Sequence, residues 1–243
     1  ERSSGSILKP FLYCASLEEG LITPHGILED IPTYIRGYQP LNFTQEYMGM
    51  VPADQALAMS LNVPAVRLLQ QYGILPFKEK LIKAGITTLH FSPDHYGLPL
   101  VLGGAEVKLW DICGAYASMG RVLGHAYSYD HQYSKADVHP PVLFEQGARS
   151  KEQGARSKEQ GAKGKEQGEE KVELVGDAPV WDVGAIWLTF EAMKTLRRPD
   201  QEGQWETFHS SRQVAWKTGT SFGYRDAWAV GVTPKYTIGV WVG

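Results

Sequence analysis

Ser6-Ile7-Leu8-Lys9-Pro10 decides how the rest of the chain is read, within Arg2-Ser3-Ser4-Gly5-Ser6-Ile7-Leu8-Lys9-Pro10-Phe11. A serine three residues before a lysine is common by chance, so its weight comes from position. Leu8, Phe11, Leu12 and Ala15 fall on one broad face, which predicts a helix over 6–17. Pro10 has no N–H to bond back to the carbonyl of Ser6 and fits only the opening turn. Ser6 and Lys9, at i and i+3, then share a helix face. First-turn N–H groups have no partner inside the helix. A nucleophile placed there has its own amide free to stabilise an oxyanion.

Working outward, two further motifs follow in order, Ser60-Leu61-Asn62 and Lys217-Thr218-Gly219-Thr220. A helix is expected over 52–59, and Pro64 opens a second over 65–72 that Gly73 closes, so Ser60 and Asn62 fall in a tight interhelical turn. In such a turn residues i and i+2 can face one side. The chain has one other asparagine, Asn42. Further helices are expected over 76–84 and 106–122, with loop over 19–43 and 90–104, and helical spacing resumes across 177–196. Three strand-like runs close the chain, 213–220, 227–233 and 236–242. Their short connections make them antiparallel neighbours. Lys217-Thr218-Gly219 lies on the first, where Gly219 would let a substrate backbone approach closely.

These residue types fit acyl transfer through a serine ester. Free serine is a weak nucleophile and needs a base within hydrogen-bond reach. Lysine serves as that base only when burial or a neighbouring positive charge disfavours its ammonium form. Lys9 beside Ser6, with Lys217 brought close by folding, meets both conditions. Ser60 would relay the leaving-group proton and Asn62 would orient Lys9 and a substrate amide. Lys217, Thr218 and Thr220 would bind a substrate carboxylate, and the N–H groups of Ser6 and Thr220 would hold the oxyanion.

Composition sets the bounds. With 243 residues, 43% hydrophobic and 21% charged, the chain suits one soluble core plus an insertion. A net charge of −3 offers no footprint for nucleic acid. No apolar run is long enough to span a bilayer. The chain opens Glu1-Arg2 and stops just after an apolar run, so a piece of a longer protein is expected. Residues 145–171 repeat Glu-Gln-Gly-Ala-Arg-Ser-Lys every seven residues, with seven Lys/Arg against six Glu. One alanine per repeat cannot make a coiled-coil seam, so a disordered, solvated insertion is expected. Cys14 and Cys113 sit in apolar, helical stretches and are read as buried free thiols. The seven histidines show no metal-ligand spacing, and no metal or other cofactor is implied.

At its three motifs the sequence resembles the transpeptidase domains of class A penicillin-binding proteins. The likeness runs through Arg2-Ser3-Ser4-Gly5-Ser6-Ile7-Leu8-Lys9, Ala56-Leu57-Ala58-Met59-Ser60-Leu61-Asn62-Val63-Pro64 and Trp216-Lys217-Thr218-Gly219-Thr220-Ser221-Phe222-Gly223-Tyr224, and includes Gly103-Gly104-Ala105-Glu106-Val107. The resemblance implies an α+β fold, an antiparallel sheet flanked by helices with a helical subregion, and the serine in the cleft between them. It also implies D,D-transpeptidation of D-Ala-D-Ala stem peptides of peptidoglycan and acylation of Ser6 by β-lactams. A glycosyltransferase domain, a membrane anchor and the sheet's opening strand would precede Glu1, placing the domain in the periplasm. A serine β-lactamase, a D,D-carboxypeptidase and a silent β-lactam-binding or muropeptide-binding module stay open as alternatives.

Overall fold

The computed structural model describes residues 1–129, 133–142, 174–175, 180–195 and 213–243. The charged repeat over 145–171 and the expected helical residues 177–179 and 196 lie outside them. Around Pro10 the expected helix resolves into two pieces. A 3-10 turn, Gly5–Leu8, leads into α1, Lys9–Glu18, with Pro10 in the first turn of α1. Ser6 therefore sits in the tighter turn and Lys9 opens the helix. Gly5 permits this, because its φ is +51° and a Cβ there would lie 2.6 Å from the backbone nitrogen of Thr220.

From Lys9 to Ser16 every residue of α1 is buried, and this helix is the centre of the core. The Phe11 ring packs 4.5 Å from that of Tyr116 and 5.8 Å from that of Trp181, centroid to centroid. All three side chains are excluded from water, and each burial of this kind contributes about 1.5–3 kcal/mol. Tyr116 comes from α6, Leu109–Ser128, and Trp181 from the entry to α7, Val183–Lys194. Helices α2, Ala53–Ala58, α3, Asn62–Tyr72, and α4, Ile74–Lys83, complete the helical part.

At the other side of α6 stands an antiparallel sheet of β7, Ala215–Thr220, β8, Ala227–Val232, and β9, Thr237–Val242, in that order. The three strand-like runs thus pair as their short connections dictate. Helix α6 seats closely on β9, since a Cβ at Gly239 would lie 2.3 Å from Sγ of Cys113. Three antiparallel pairs accompany the sheet: β1, Arg2–Ser3, with β4, Glu106–Val107; β2, Ile27–Asp30, with β3, Gly49–Pro52; and β5, Tyr133–Ser134, with β6, Leu174–Val175. The arrangement is α+β, an antiparallel sheet flanked by helices with a helical subregion, as the resemblance implied.

Several boundaries differ from the sequence reading. Glu106 and Val107 pair with Arg2 and Ser3 instead of opening α6. The expected loop over 90–104 contains a helical turn, α5, Pro93–Tyr96, and a 3-10 segment, Leu98–Leu102. Ser92 accepts a hydrogen bond from the His95 N–H and so caps α5. Cys14 is buried and Cys113 only half-buried, both as free thiols.

Gly5→Ala is expected to destabilise the fold by roughly 2 kcal/mol or more, because the new methyl meets backbone atoms at a positive φ. Urea unfolding followed by tryptophan fluorescence checks this; an unchanged midpoint would contradict the packing of β7 on the Gly5–Leu8 turn.

Candidate active site

Ser6 is half-buried in the Gly5–Leu8 turn, and long-range bonds fix that turn from outside. The Ser4 N–H donates to the carbonyl of Ala105 at 2.9 Å. The Ser3 hydroxyl donates to the carbonyl of Gly103 at 2.8 Å, and the indole N–H of Trp228 donates to that of Ser3 at 2.8 Å. The Tyr116 hydroxyl donates to the carbonyl of Ile7 at 2.8 Å. The first bond of the turn itself runs from Ile7 N–H to the Ser4 carbonyl, 3.2 Å, so the Ser6 amide precedes it. Sequence reasoning missed Ser3, Tyr116 and Trp228. Their partners lie up to 225 residues away, and no local periodicity signals them.

β7 brings the third motif against this turn. Strand alternation puts Lys217 and Gly219 on one face, and Thr218 and Thr220 on the other. A Cβ at Gly219 would lie 2.9 Å from the Ser4 carbonyl oxygen, 3.1 Å from Ile7 N and 3.2 Å from Ser6 N. The space that the sequence reading assigned to an approaching substrate backbone is taken by the turn that carries Ser6. Among the described residues β7 pairs on one side only, with β8.

The second motif is not contained in a turn as expected. Ser60 is the turn, at φ +55°, and Asn62 is already the first residue of α3. A left-handed conformation costs a residue other than glycine about 1–2 kcal/mol. It points the Ser60 hydroxyl at two amines. Lys217 Nζ donates to Ser60 Oγ at 2.8 Å and to the Thr218 carbonyl at 2.6 Å. Lys9 Nζ donates to the Ser60 carbonyl and to Asn62 Oδ1, each at 2.7 Å, and lies 3.4 Å from Ser60 Oγ.

Lys9 and Lys217 are 3% and 0% exposed, so the fold removes both ammonium groups from water. Burial foremost, and then the charge of Lys217, hold the pKa of Lys9 well below the ordinary lysine range. Burial pushes that of Lys217 down to about 7. An amine kept neutral near physiological pH is a competent base.

The fold thus gathers Lys9, Ser60, Asn62 and Lys217 into one hydrogen-bonded cluster, with Ser6, Gly219 and the Thr220 backbone at its edge. The expected direct pairing of Ser6 with Lys9 is not formed: among the described residues the Ser6 hydroxyl has no hydrogen-bond partner, and Lys9 serves Ser60 and Asn62. The Phe43 and Tyr224 rings meet edge to face at 5.9 Å, linking the connection between β2 and β3 to the segment after β7.

A family model described as the penicillin binding protein transpeptidase domain matches residues 1–131, which hold Ser6, Lys9, Ser60 and Asn62. The chain belongs to the penicillin-binding transpeptidase family. It is similar to penicillin-binding protein 1C of Escherichia coli (strain K12), with 34% identity over 242 residues, covering 100% of this chain and 26% of that protein. Among solved structures, PonA1 of Mycobacterium tuberculosis matches with a TM-score of 0.66 and 24% identity, over 100% of this chain and 60% of that one. The transpeptidase domain of penicillin-binding protein 3 from Burkholderia pseudomallei has the same fold, with a TM-score of 0.67 at 15% identity, over 99% of this chain and 71% of that one. The chain spans about a quarter to a third of the length of the curated relatives it matches. No described helix of this penicillin-binding domain is long and apolar enough to cross a membrane.

The lowered lysine pKa sets a pH dependence of stability. Between about 7 and the unfolded value of 10.5, the unfolded chain binds the Lys217 proton and the folded chain does not. Stability therefore rises with pH across that window. Wild type is expected to gain stability relative to Lys217→Met on going from pH 7 to 10, measured by urea unfolding at each pH; parallel curves would refute the buried, neutral amine.

Proposed function

We propose that this chain is the acyl-transfer module of a peptidoglycan D,D-transpeptidase and that Ser6 is its nucleophile. The observation that carries this reading is the convergence of two buried amines, Lys9 and Lys217, on the Ser60 hydroxyl beside the Ser6 turn. The cleft supplies what a serine ester needs. Lys9, held neutral, takes the proton as Ser6 Oγ attacks the carbonyl of the penultimate D-alanine of a stem peptide. Oxyanion charge falls to the N–H groups of Ser6 and Thr220, and each such donor is worth roughly 3 kcal/mol of barrier.

Collapse of that intermediate expels D-alanine. Its amine collects a proton through Ser60, which Lys9 and Lys217 both reach. The substrate carboxylate is met by Thr218 and Thr220 with Lys217, which takes up a proton as the carboxylate arrives and so gains an N–H to offer. The peptide lies as an added strand along the edge of β7 that no described strand pairs. A neighbouring stem-peptide amine then attacks the ester, cross-linking two peptides and freeing Ser6. A β-lactam enters as a mimic of D-Ala-D-Ala and stays on Ser6 because its leaving group remains tethered. The substrate belongs to the bacterial wall, so the parent protein is placed on the outer face of the cytoplasmic membrane, with a glycosyltransferase domain and an anchor beyond this chain.

Intact-mass measurement after penicillin treatment tests the assignment. Wild type is expected to gain one penicillin mass in a single burst, and Ser6→Ala none; an adduct that survives Ser6→Ala would refute the nucleophile. Lys9→Met is expected to slow labelling by about 10²–10⁴-fold. Sustained turnover of a chromogenic cephalosporin would point instead to a hydrolase.

A further inference from the structure

Behind Asn62 lies a buried network that ends on residues outside all three motifs. Helix α3 starts at Asn62 with Leu61 as its N-cap, and no side chain of α3 or its cap satisfies the first-turn N–H groups. Their partner comes from twenty residues upstream. Asn42 Oδ1 accepts from the Asn62 N–H at 2.8 Å and from the Val63 N–H at 3.2 Å. The opposite end of the same amide is locked as well. Asn42 Nδ2 donates to both carboxylate oxygens of Asp30, at 2.7 and 3.0 Å, and to the Glu46 carbonyl at 2.9 Å. Asp30 is fully buried at the end of β2 and also accepts the Met48 N–H at 2.8 Å.

The neighbouring residue completes the hold on Asn62. Its Nδ2 donates to the Leu41 carbonyl at 2.7 Å, an acceptor that only an N–H can satisfy. The Asn62 amide therefore cannot flip without breaking that bond, and its Oδ1 must face Lys9. We propose that Asn42, locked by Asp30, is a positioning residue for acyl transfer. It caps α3 in trans and, with the Leu41 carbonyl, fixes the Asn62 side chain that holds the Lys9 amine against Ser60. The network runs Asp30, Asn42, Asn62, Lys9, and its first two members touch no reacting atom. The proposal rests on the acyl-transfer reading above.

The test exchanges donor and acceptor along that line, using the whole chain and a fluorescent penicillin as probe. Wild-type labelling with a Ser6→Ala control checks the acyl-transfer reading by itself; amide exchange at Asn62 and Val63 checks the cap without any chemistry. Asn42→Asp keeps an acceptor for α3, loses the Nδ2 donors and sets two carboxylates face to face. It is expected to label about tenfold more slowly or worse, since small misplacements of catalytic groups carry such factors, and to exchange both amides faster. The reciprocal pair Asp30→Asn with Asn42→Asp restores one donor facing one carboxylate but not the donor to the Glu46 carbonyl, and is expected to label faster than Asn42→Asp alone. Adding Asn42→Asp to Asn62→Ala is expected to slow labelling no further, because both act through one amide. A folded Asn42→Asp that labels at the wild-type rate overturns the proposal. So does a reciprocal pair that labels no faster than Asn42→Asp alone, or a combination with Asn62→Ala whose effects multiply. If Asn42→Asp alone does not fold, the reciprocal pair carries the comparison.

Discussion

The structure depends on keeping two lysine amines, Lys9 and Lys217, out of water and within reach of one hydroxyl. Burying an ammonium is costly, and the group relieves that cost by giving up its proton. Each amine is nevertheless satisfied by oxygen acceptors: the Ser60 carbonyl and Asn62 Oδ1 for Lys9, the Thr218 carbonyl and Ser60 Oγ for Lys217. Those acceptors come from two separate stretches of chain, and with Lys9 the cluster draws on three, so it exists only in the assembled fold. Its members sit on rigid elements. Lys9 opens the most buried helix, Lys217 lies in β7, and Asn62 begins α3.

Close approach of backbones, more than side-chain packing, brings these elements together. Gly5 and Gly219 face each other's strand and turn with no room for a Cβ on either. A sheet edge and a helix start can meet this tightly only where both side chains are absent. Ser60 adds a local conflict, a hydroxyl-bearing residue in a left-handed conformation that glycine would adopt freely. Glycine there would relax the backbone and remove the hydroxyl that both lysines reach. Strain of this kind persists where the surroundings over-determine it, here by Lys9 on the Ser60 carbonyl and Lys217 on its hydroxyl.

Much of this was legible in the sequence. Pro10 bounded the start of α1, Gly73 closed α3, and the period-two runs at the C-terminus gave the three strands of the sheet in their order. What escaped was set by contacts distant in sequence. Glu106 and Val107 carry the apolar pattern of the helix that follows, yet they extend because Arg2 and Ser3 pair with them. The Ser6–Lys9 spacing suggested a direct pair, but three residues apart across a 3-10 turn and a helix start is a different geometry from one continuous helix. Lys9 turns instead to acceptors 51 and 53 residues away. Asn42 stood out only as the other asparagine, with nothing local to connect it to Asn62. Asp30, one carboxylate among many, carried no signal at all.

Hydrogen-bond arithmetic at Ser60 ties the arrangement to the proposed chemistry. A hydroxyl has one proton to give and two lone pairs to receive. Lys217 occupies one lone pair at 2.8 Å, and its own carbonyl contact at 2.6 Å leaves a single N–H of its ammonium form unassigned. Lys9 spends two donors on the Ser60 carbonyl and Asn62, which are the donors a neutral amine retains. Its lone pair is then left free, and Ser60 Oγ lies 3.4 Å from it. In the proposed mechanism a proton taken by Lys9 from Ser6 would pass on to Ser60, and from Ser60 to the leaving amine. Ser60 is the joint between the two lysines, and the left-handed turn that aims it is the strain on which that path depends.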